Sequence, residues 1–177
     1  FHFPRARAMS RAFVKESDDD QVSGELPERP LPAHANYVTP QGLEQLQARA
    51  RELQEQHEQL APLAKDDSEA KRKLREVERD QRYFNAQLER AVVVDPAGQP
   101  QGEVHFGAVV KILDEDGKQQ IFGIVGDDEA DVAAGKISWA SPLAKAMIGA
   151  RVGDTVKWLR PAGDAEVEIA EIRYPGR

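Results

Sequence analysis

The sequence predicts an α+β protein in which an N-terminal antiparallel α-helical coiled-coil hairpin precedes a small antiparallel β domain with one short helix. Two segments, 43–60 and 70–91, carry apolar residues three and four positions apart, as the helices of a coiled coil do. Only a short acidic stretch separates them, so the two helices must fold back on each other. Near position 100 the composition changes from Ala, Glu, Gln and Arg to Val, Ile and Gly, which indicates a second domain built of strands.

The overall composition restricts the class of protein and its partners. The 177 residues carry a net charge of −7, which argues against general attachment to nucleic acid but allows a local basic patch. The chain has no cysteine and therefore no disulfide, and no apolar run approaches the roughly 20 residues that span a bilayer. We expect a soluble, cytoplasmic protein with no membrane partner.

The N-terminal residues are predicted to precede the folded domains. Residues 1–8 come before Met9 and are expected to be the remnant of an expression tag. Residues 9–36 combine charge and prolines without periodicity, which predicts a flexible N-terminal arm. The further predicted boundaries are a hairpin over 37–95, a turn-rich linker over 96–102 and a β domain over 103–177.

Capping residues mark the ends of the hairpin helices. Thr39 suits an N-cap and Pro40 a first helical residue, and the first helix then runs toward Pro62 over about 22 residues, or roughly 33 Å. Any of the residues Asp66, Asp67 and Ser68 can cap the second helix. His57 is interpreted as a polar residue that sets the register of the seam. Because both apolar stripes are used within the hairpin, a monomer is expected. The predicted seam is Leu43, Leu46, Ala50, Leu53 and Leu60 against Ala70, Leu74, Val77, Phe84, Leu88 and Ala91.

The β domain is predicted from alternating apolar residues between turn signals. Ser141, Pro142 and Gly149 predict the cap, the first residue and the end of a short helix over 143–148. Strands are predicted over 104–113, 119–125, 136–139, 155–159 and 166–174. The expected core consists of Val109, Ile112, Phe122, Ile124, Val156, Trp158, Val167, Ile169 and Ile172.

Three acids at the hairpin tip, Asp66, Asp67 and Glu69, are the first candidate site. Mg²⁺ prefers oxygen ligands and uses one or two carboxylates while keeping several waters. Ordinary capping of a helix explains the same acids, and from the residues alone it is the stronger interpretation.

A row of basic residues follows at helical spacing, at Lys71, Arg75, Arg79 and Arg82. Such a row can contact phosphates. The interleaved acids at 76–80 equally favour a solvated, ion-paired helix face. No catalytic triad, phosphate loop or Cys/His metal spacing is legible, so the chain is better suited to lend carboxylates to another enzyme's active site than to be an enzyme itself.

Four segments carry a family resemblance: Leu-Arg-Glu-Val-Glu-Arg at 74–79, Val-His-Phe-Gly-Ala-Val-Val at 104–110, Ile-Ser-Trp-Ala-Ser-Pro-Leu-Ala-Lys-Ala at 137–146, and Val-Gly-Asp at 152–154. On these motifs the chain resembles the bacterial Gre transcript-cleavage factors, and the GreB branch in particular, over roughly residues 37–174.

The resemblance implies a coiled coil inserted into the secondary channel of RNA polymerase and an FKBP-like C-terminal domain docked at the channel rim through Ser141, Pro142 and Leu143. It implies that Asp66 and Glu69 hold a catalytic Mg²⁺ only jointly with the polymerase, with no cofactor bound stably. Lys71, Arg75 and Arg79 lie where the family turns a basic face toward the nascent RNA 3′ end. The chain is thus expected to be an accessory factor. For Ser141 and Pro142, a plain helix start is an equally good explanation.

Two departures from the family pattern leave the role of this chain in RNA cleavage open. Asp66, Ser68 and Glu69 match the family tip, but the Asn-Ala-acid-Tyr that follows there is absent. Each helix is also about one heptad shorter, or roughly 10 Å of reach. Cleavage of backtracked RNA and simple occupancy of the channel therefore both remain open.

Two other functional classes fit the sequence less well. An FKBP-like prolyl isomerase is less favoured because few aromatic residues are available to line a proline pocket. A scaffold that pairs with another protein is less favoured because the seam is already used. The aromatic candidates are Phe106, Phe122, Trp139 and Trp158.

Overall fold

The computed structural model describes residues 26–176 and contains the predicted helical hairpin. Helix α1 spans Pro40–Leu63 and helix α2 spans Ser68–Arg90. With 24 and 23 residues, they are about 36 and 35 Å long. The predicted tag remnant and residues 9–25 of the predicted arm lie outside the described residues. Within the described part, no helix is long and apolar enough to cross a membrane.

The ends of both helices follow their capping residues. Thr39 accepts a hydrogen bond from the Gly42 amide at 2.9 Å, and Pro40 begins α1. Helix α1 continues through Pro62 and ends one residue later, at Leu63. Asp67 is the N-cap of α2 and accepts from the amides of Glu69 and Ala70 at 2.9 and 3.4 Å.

The seam between the helices is narrow, as the heptad pattern predicted. Leu46, Leu53, Ala70 and Val77 are buried, and the other seam residues are half-buried because two helices alone cannot enclose a core. His57 lies beside the seam with its Nε2 3.9 Å from Glu78 Oε1. Tyr83 and Gln87, which lie off the seam, are also buried on α2.

A small parallel sheet that the sequence analysis did not predict closes the base of the hairpin. Strand β1, Asn36–Val38, pairs with strand β2, Ala91–Val93, directly after α2. Residue 36 was predicted to end a flexible arm, and Ala91 to lie in a helix. Both instead belong to this sheet, and the Asn36 amide donates to the Gln87 carbonyl at 2.8 Å.

The C-terminal domain is a five-stranded sheet in the order β5-β4-β3-β7-β6. Its strands are β3 Val109–Leu113, β4 Gln119–Val125, β5 Lys136–Ser138, β6 Thr155–Trp158 and β7 Ala165–Arg173. The α+β class is confirmed. The sheet is mixed rather than purely antiparallel, because β5 runs parallel to β4. Two short 3₁₀ turns, Asp127–Glu129 and Val132–Ala134, carry the chain back along β4, so that β5 begins opposite Gly123 and runs in the same direction as β4.

The core lies between this sheet and helix α3, Pro142–Met147. Leu143, Ala144 and Met147 of α3 are buried against it. Of the predicted core residues, Ile112, Ile124, Val167 and Ile169 are buried, while Phe122, Val156, Trp158 and Ile172 pack on its edge and Val109 is half-buried.

Only the second half of the predicted strand 104–113 forms a regular strand, because β3 begins at Val109. Val104 and Ala108 are fully buried all the same. Gly107 lies between them with a φ of 88°, and a Cβ there would approach the Pro96 ring to 2.8 Å. This glycine therefore interrupts the strand and lets the linker pack against the domain.

Candidate functional site

All three acids at the tip of the hairpin are exposed, and one of them also caps a helix. Asp67 is committed to capping α2 through its Oδ1, as the capping interpretation predicted. Asp66 and Glu69 are exposed. Glu69 lies 3.6 Å from Lys73 and 3.9 Å from Arg72, in surface ion pairs that restrain it only weakly. Of the three, Asp66 and Glu69 are therefore the exposed carboxylates that do not cap a helix.

The donor set at the tip suits a shared Mg²⁺ ion. Two carboxylates match the one or two that Mg²⁺ takes from a protein while it keeps water and substrate oxygens. Over residues 26–176, no group of three or more His, Asp or Glu side chains is arranged to hold a metal ion. Asp66 and Glu69 can thus supply part of a coordination shell that another molecule completes.

The basic row on α2 is partly neutralised by neighbouring acids. Lys71 and Arg75 are exposed, whereas Arg79 is one-quarter exposed and pairs with Asp80 at 3.1 Å. Arg82 is held by Glu28, which precedes the hairpin. The ion pairs of Arg79 and Arg82 agree with the ion-paired interpretation for the base half of the row, and contact with phosphates stays a prediction.

The three residues predicted to dock on a polymerase rim have different environments. Ser141 caps α3 by accepting from the Ala144 amide at 3.4 Å, and Pro142 is exposed at its start. Leu143 is only 3% exposed and packs in the core. Its side chain therefore holds α3 in place, and only Ser141 and Pro142 lie at the surface.

The base of the hairpin is joined to the β domain by three consecutive acids, which we name the acidic turn, Asp127–Glu129. Asp128 accepts from Tyr83 Oη at 2.7 Å and from Gln87 Nε2 at 2.9 Å. Asp127 accepts from Ser138 Oγ and lies 2.5 Å from His34 Nε2. These side chains fix the direction in which the hairpin points. The turn was not predicted from the sequence, although three adjacent acids one residue after the predicted strand 119–125 were a visible signal.

The third acid of this turn, Glu129, binds the start of α1. Its Oε1 accepts from Thr39 Oγ1 at 2.5 Å, and its Oε2 lies 3.8 Å from Lys136 Nζ. A Cβ at Gly42 would come within 2.6 Å of that carboxylate, and a Cβ at Gly126 within 2.4 Å of the Tyr37 carbonyl. Two glycines therefore permit this close approach between the domains.

The aromatic residues considered for a proline pocket are used for packing. Phe106 and Trp139 contact Tyr37, at centroid distances of 6.0 and 5.0 Å. Phe122 and Trp158 contact each other at 6.3 Å. An apolar cavity of about 320 Å³ beneath the hairpin base is lined by none of these four. The geometry gives the isomerase hypothesis no support.

Titration of Tyr83 provides a test of the acidic turn. Burial, and then its hydrogen bond to Asp128, raise the pKa of Tyr83 to about 12. Because the folded pKa lies above that of the unfolded chain, about 10, the stabilising contribution is complete below pH 10 and is lost as the pH rises to 12. We expect unfolding midpoints to fall over this range. The fall should be smaller in Tyr83→Phe. Because burial also raises the pKa of Tyr174, the signal that reports Tyr83 is the part of the late-titrating 295 nm absorbance that this variant loses.

The chain is similar in sequence to a family of known proteins. The profile described as "Transcription elongation factor, GreA/GreB, C-term" matches residues 99–174. Transcription elongation factor GreB of Neisseria meningitidis serogroup B is 39% identical over 153 residues, covering 78% of this chain and 94% of that protein. Transcription elongation factor GreA of Alkalilimnicola ehrlichii is 47% identical over 93 residues, covering 51% of this chain and 59% of that protein.

Among solved structures, the GreA factor homolog 1 (Gfh1) protein of Thermus thermophilus is 28% identical and covers 79% of this chain and 99% of that chain, with a TM-score of 0.37. A TM-score this low leaves the assignment to rest on the sequence matches.

Proposed function

Because the chain belongs to the GreA/GreB family of transcription elongation factors, we propose that it binds RNA polymerase, inserts its hairpin into the secondary channel and stimulates cleavage of backtracked RNA. It acts as a monomeric, cytoplasmic accessory factor, and the polymerase remains the catalyst. The observation that carries this proposal is the placement of Asp66 and Glu69, exposed at the far end of a rod about 35 Å long.

The tip residues have separate tasks in this function. Asp67 keeps the first turn of α2 formed, which holds Glu69 near the end of the hairpin. Asp66 and Glu69 are the residues that would hold a Mg²⁺ ion jointly with the polymerase. When bound, the ion supplies Lewis-acid assistance to hydrolysis of the phosphodiester.

The remaining contacts are assigned to the two ends of the molecule. Lys71, Arg75 and Arg79 face the nascent RNA, where positive charge near the tip attracts the phosphate backbone. Ser141 and Pro142 contact the channel rim, and Leu143 positions them from the core. The acidic turn connects these two ends, so docking of the β domain determines where the tip lies.

A second candidate function is occupancy of the channel without cleavage. It is favoured by the short helices, 24 and 23 residues, and by the ion pairs that Glu69 makes with Arg72 and Lys73. A factor of this kind would bind the polymerase and compete with other channel ligands.

The test uses purified RNA polymerase in an artificially backtracked elongation complex with a 3′-labelled transcript. Adding the full chain with Mg²⁺ should release short 3′ RNA fragments and restore elongation. Binding, measured in parallel by co-elution with polymerase, distinguishes the candidates. Binding without fragment release supports channel occupancy, and absence of binding contradicts both functions.

A further inference from the structure

A segment before the hairpin lies along the base half of α2. We name residues 28–34 the strap. Glu28 pairs with Arg82, whose Nε lies 3.0 and 2.9 Å from the two carboxylate oxygens. Arg29 lies 3.4 Å from Asp80 and 4.0 Å above the Tyr83 ring. The strap therefore runs from the base of α2 toward its tip, in the part of the chain predicted to be a flexible arm.

The end of the strap nearest the hairpin base, residues 32–34, is held by contacts that do not involve Glu28. Arg90 Nη2 donates to the carbonyls of Pro32 and His34 at 3.0 and 2.6 Å. The His34 ring contacts Trp139 at a centroid distance of 5.2 Å and also bonds Asp127. These contacts explain why residues 28–34 lie on the helix, and they persist if the Glu28 carboxylate leaves Arg82.

Arg82 is the residue of the basic row nearest the strap. It follows Arg79 by three positions and Arg75 by seven, so these residues share one face of the helix. The planar guanidinium of an arginine such as Arg82 binds carboxylate and phosphate in the same bidentate geometry. Both partners of the Glu28–Arg82 pair are more than half exposed, at 61% and 55%, so an anion from solvent can reach the guanidinium.

We propose that the strap is an internal competitor for the basic face of α2, in which the Glu28 carboxylate occupies on Arg82 the position of an RNA phosphodiester. An incoming single strand displaces Glu28 from Arg82 while Arg29 and Arg90 keep the strap on the helix. The basic face thereby extends from the tip half toward the base when RNA is present. This inference deepens the proposed function, since the same face is assigned there to the nascent RNA.

The experiment measures binding of the full chain to a labelled single-stranded RNA of about 12 nucleotides by fluorescence anisotropy, without polymerase, over a series of salt concentrations. Glu28→Gln removes the competing charge, and we expect affinity to rise about five-fold at low salt. One more phosphate contact should also steepen the slope of log K against log salt by about 0.7.

Two further variants separate displacement from a general charge effect. Glu55→Gln changes the net charge equally at an exposed position of α1 and should produce a clearly smaller gain. Arg82→Ala combined with Glu28→Gln should remove the gain. Equal effects of the two glutamine variants, a gain that survives loss of Arg82, or no gain at all would overturn the inference. Because polymerase is absent, failure here is distinguishable from failure of the proposed function.

Discussion

Replacing Asp66 and Glu69 together by alanine is expected to reduce stimulated RNA cleavage about 100-fold, equivalent to about 2.7 kcal/mol of transition-state stabilisation. The two carboxylates are exposed oxygen donors at the tip that do not cap a helix, and their loss removes the proposed protein ligands of the metal. Both side chains are remote from the β domain. Polymerase binding should therefore stay within about two-fold of wild type, as measured by co-elution or competition.

The matched control at the tip is Asp67→Ser. Serine caps a helix about as well as aspartate, so this variant removes one tip carboxylate without loosening α2. It should retain most of the cleavage activity of the wild-type chain. Cleavage that is unchanged in the double alanine variant would remove the assigned role of Asp66 and Glu69, and equal losses in Asp67→Ser would show that tip charge alone matters.

Replacing Asp128 by alanine is expected to loosen the hairpin from the β domain. Tyr83 and Gln87 would lose their shared acceptor, and the side chain of Gln87 is fully buried. A buried donor without an acceptor costs about 2 kcal/mol of stability. The contact between the hairpin and the β domain should weaken accordingly. Since catalytic groups must be placed accurately, cleavage should fall about ten-fold although the tip is intact.

The orientation change can be measured directly because the chain has no native cysteine. Spin labels on Lys65→Cys at the tip and Glu115→Cys in the β domain should report one narrow distance distribution, which Asp128→Ala broadens. Asp116→Ala is the control, since it removes the same charge from an exposed turn. An unchanged distribution in Asp128→Ala would mean that the remaining contacts suffice to direct the hairpin.

The hairpin was predictable because its determinants are local. Heptad spacing identified the seam, and Thr39 and Asp67 stand beside the helices that they cap. The strand 119–125 was predicted with the observed bounds for the same reason, since a short run rich in apolar residues after the turn at 114–117 is a local signal. The outward position of Asp66 and Glu69 follows from the hairpin itself.

Two predictions from the sequence, the start of the strand 104–113 and the surface position of Leu143, were wrong because the local signals were incomplete. Val104 and Ala108 are as apolar and buried as strand residues, but the positive φ at Gly107 breaks the pairing that their composition suggests. Leu143 looked like a surface docking residue within its motif, and its burial is decided by the sheet beneath α3.

By itself, the sequence determined a two-helix hairpin with an acidic tip, a small β domain and membership of a family of elongation factors. Only the tertiary structure decided how these parts are joined, through contacts such as Glu129 with Thr39 and Glu28 with Arg82. These partners lie 90 and 54 positions apart. Periodicity and capping report interactions within a few residues, whereas a hydrogen bond between distant side chains leaves no regular pattern in the chain. The direction of the hairpin is therefore a property of the folded molecule. So is the pairing of Glu28 with Arg82 on the basic face of α2.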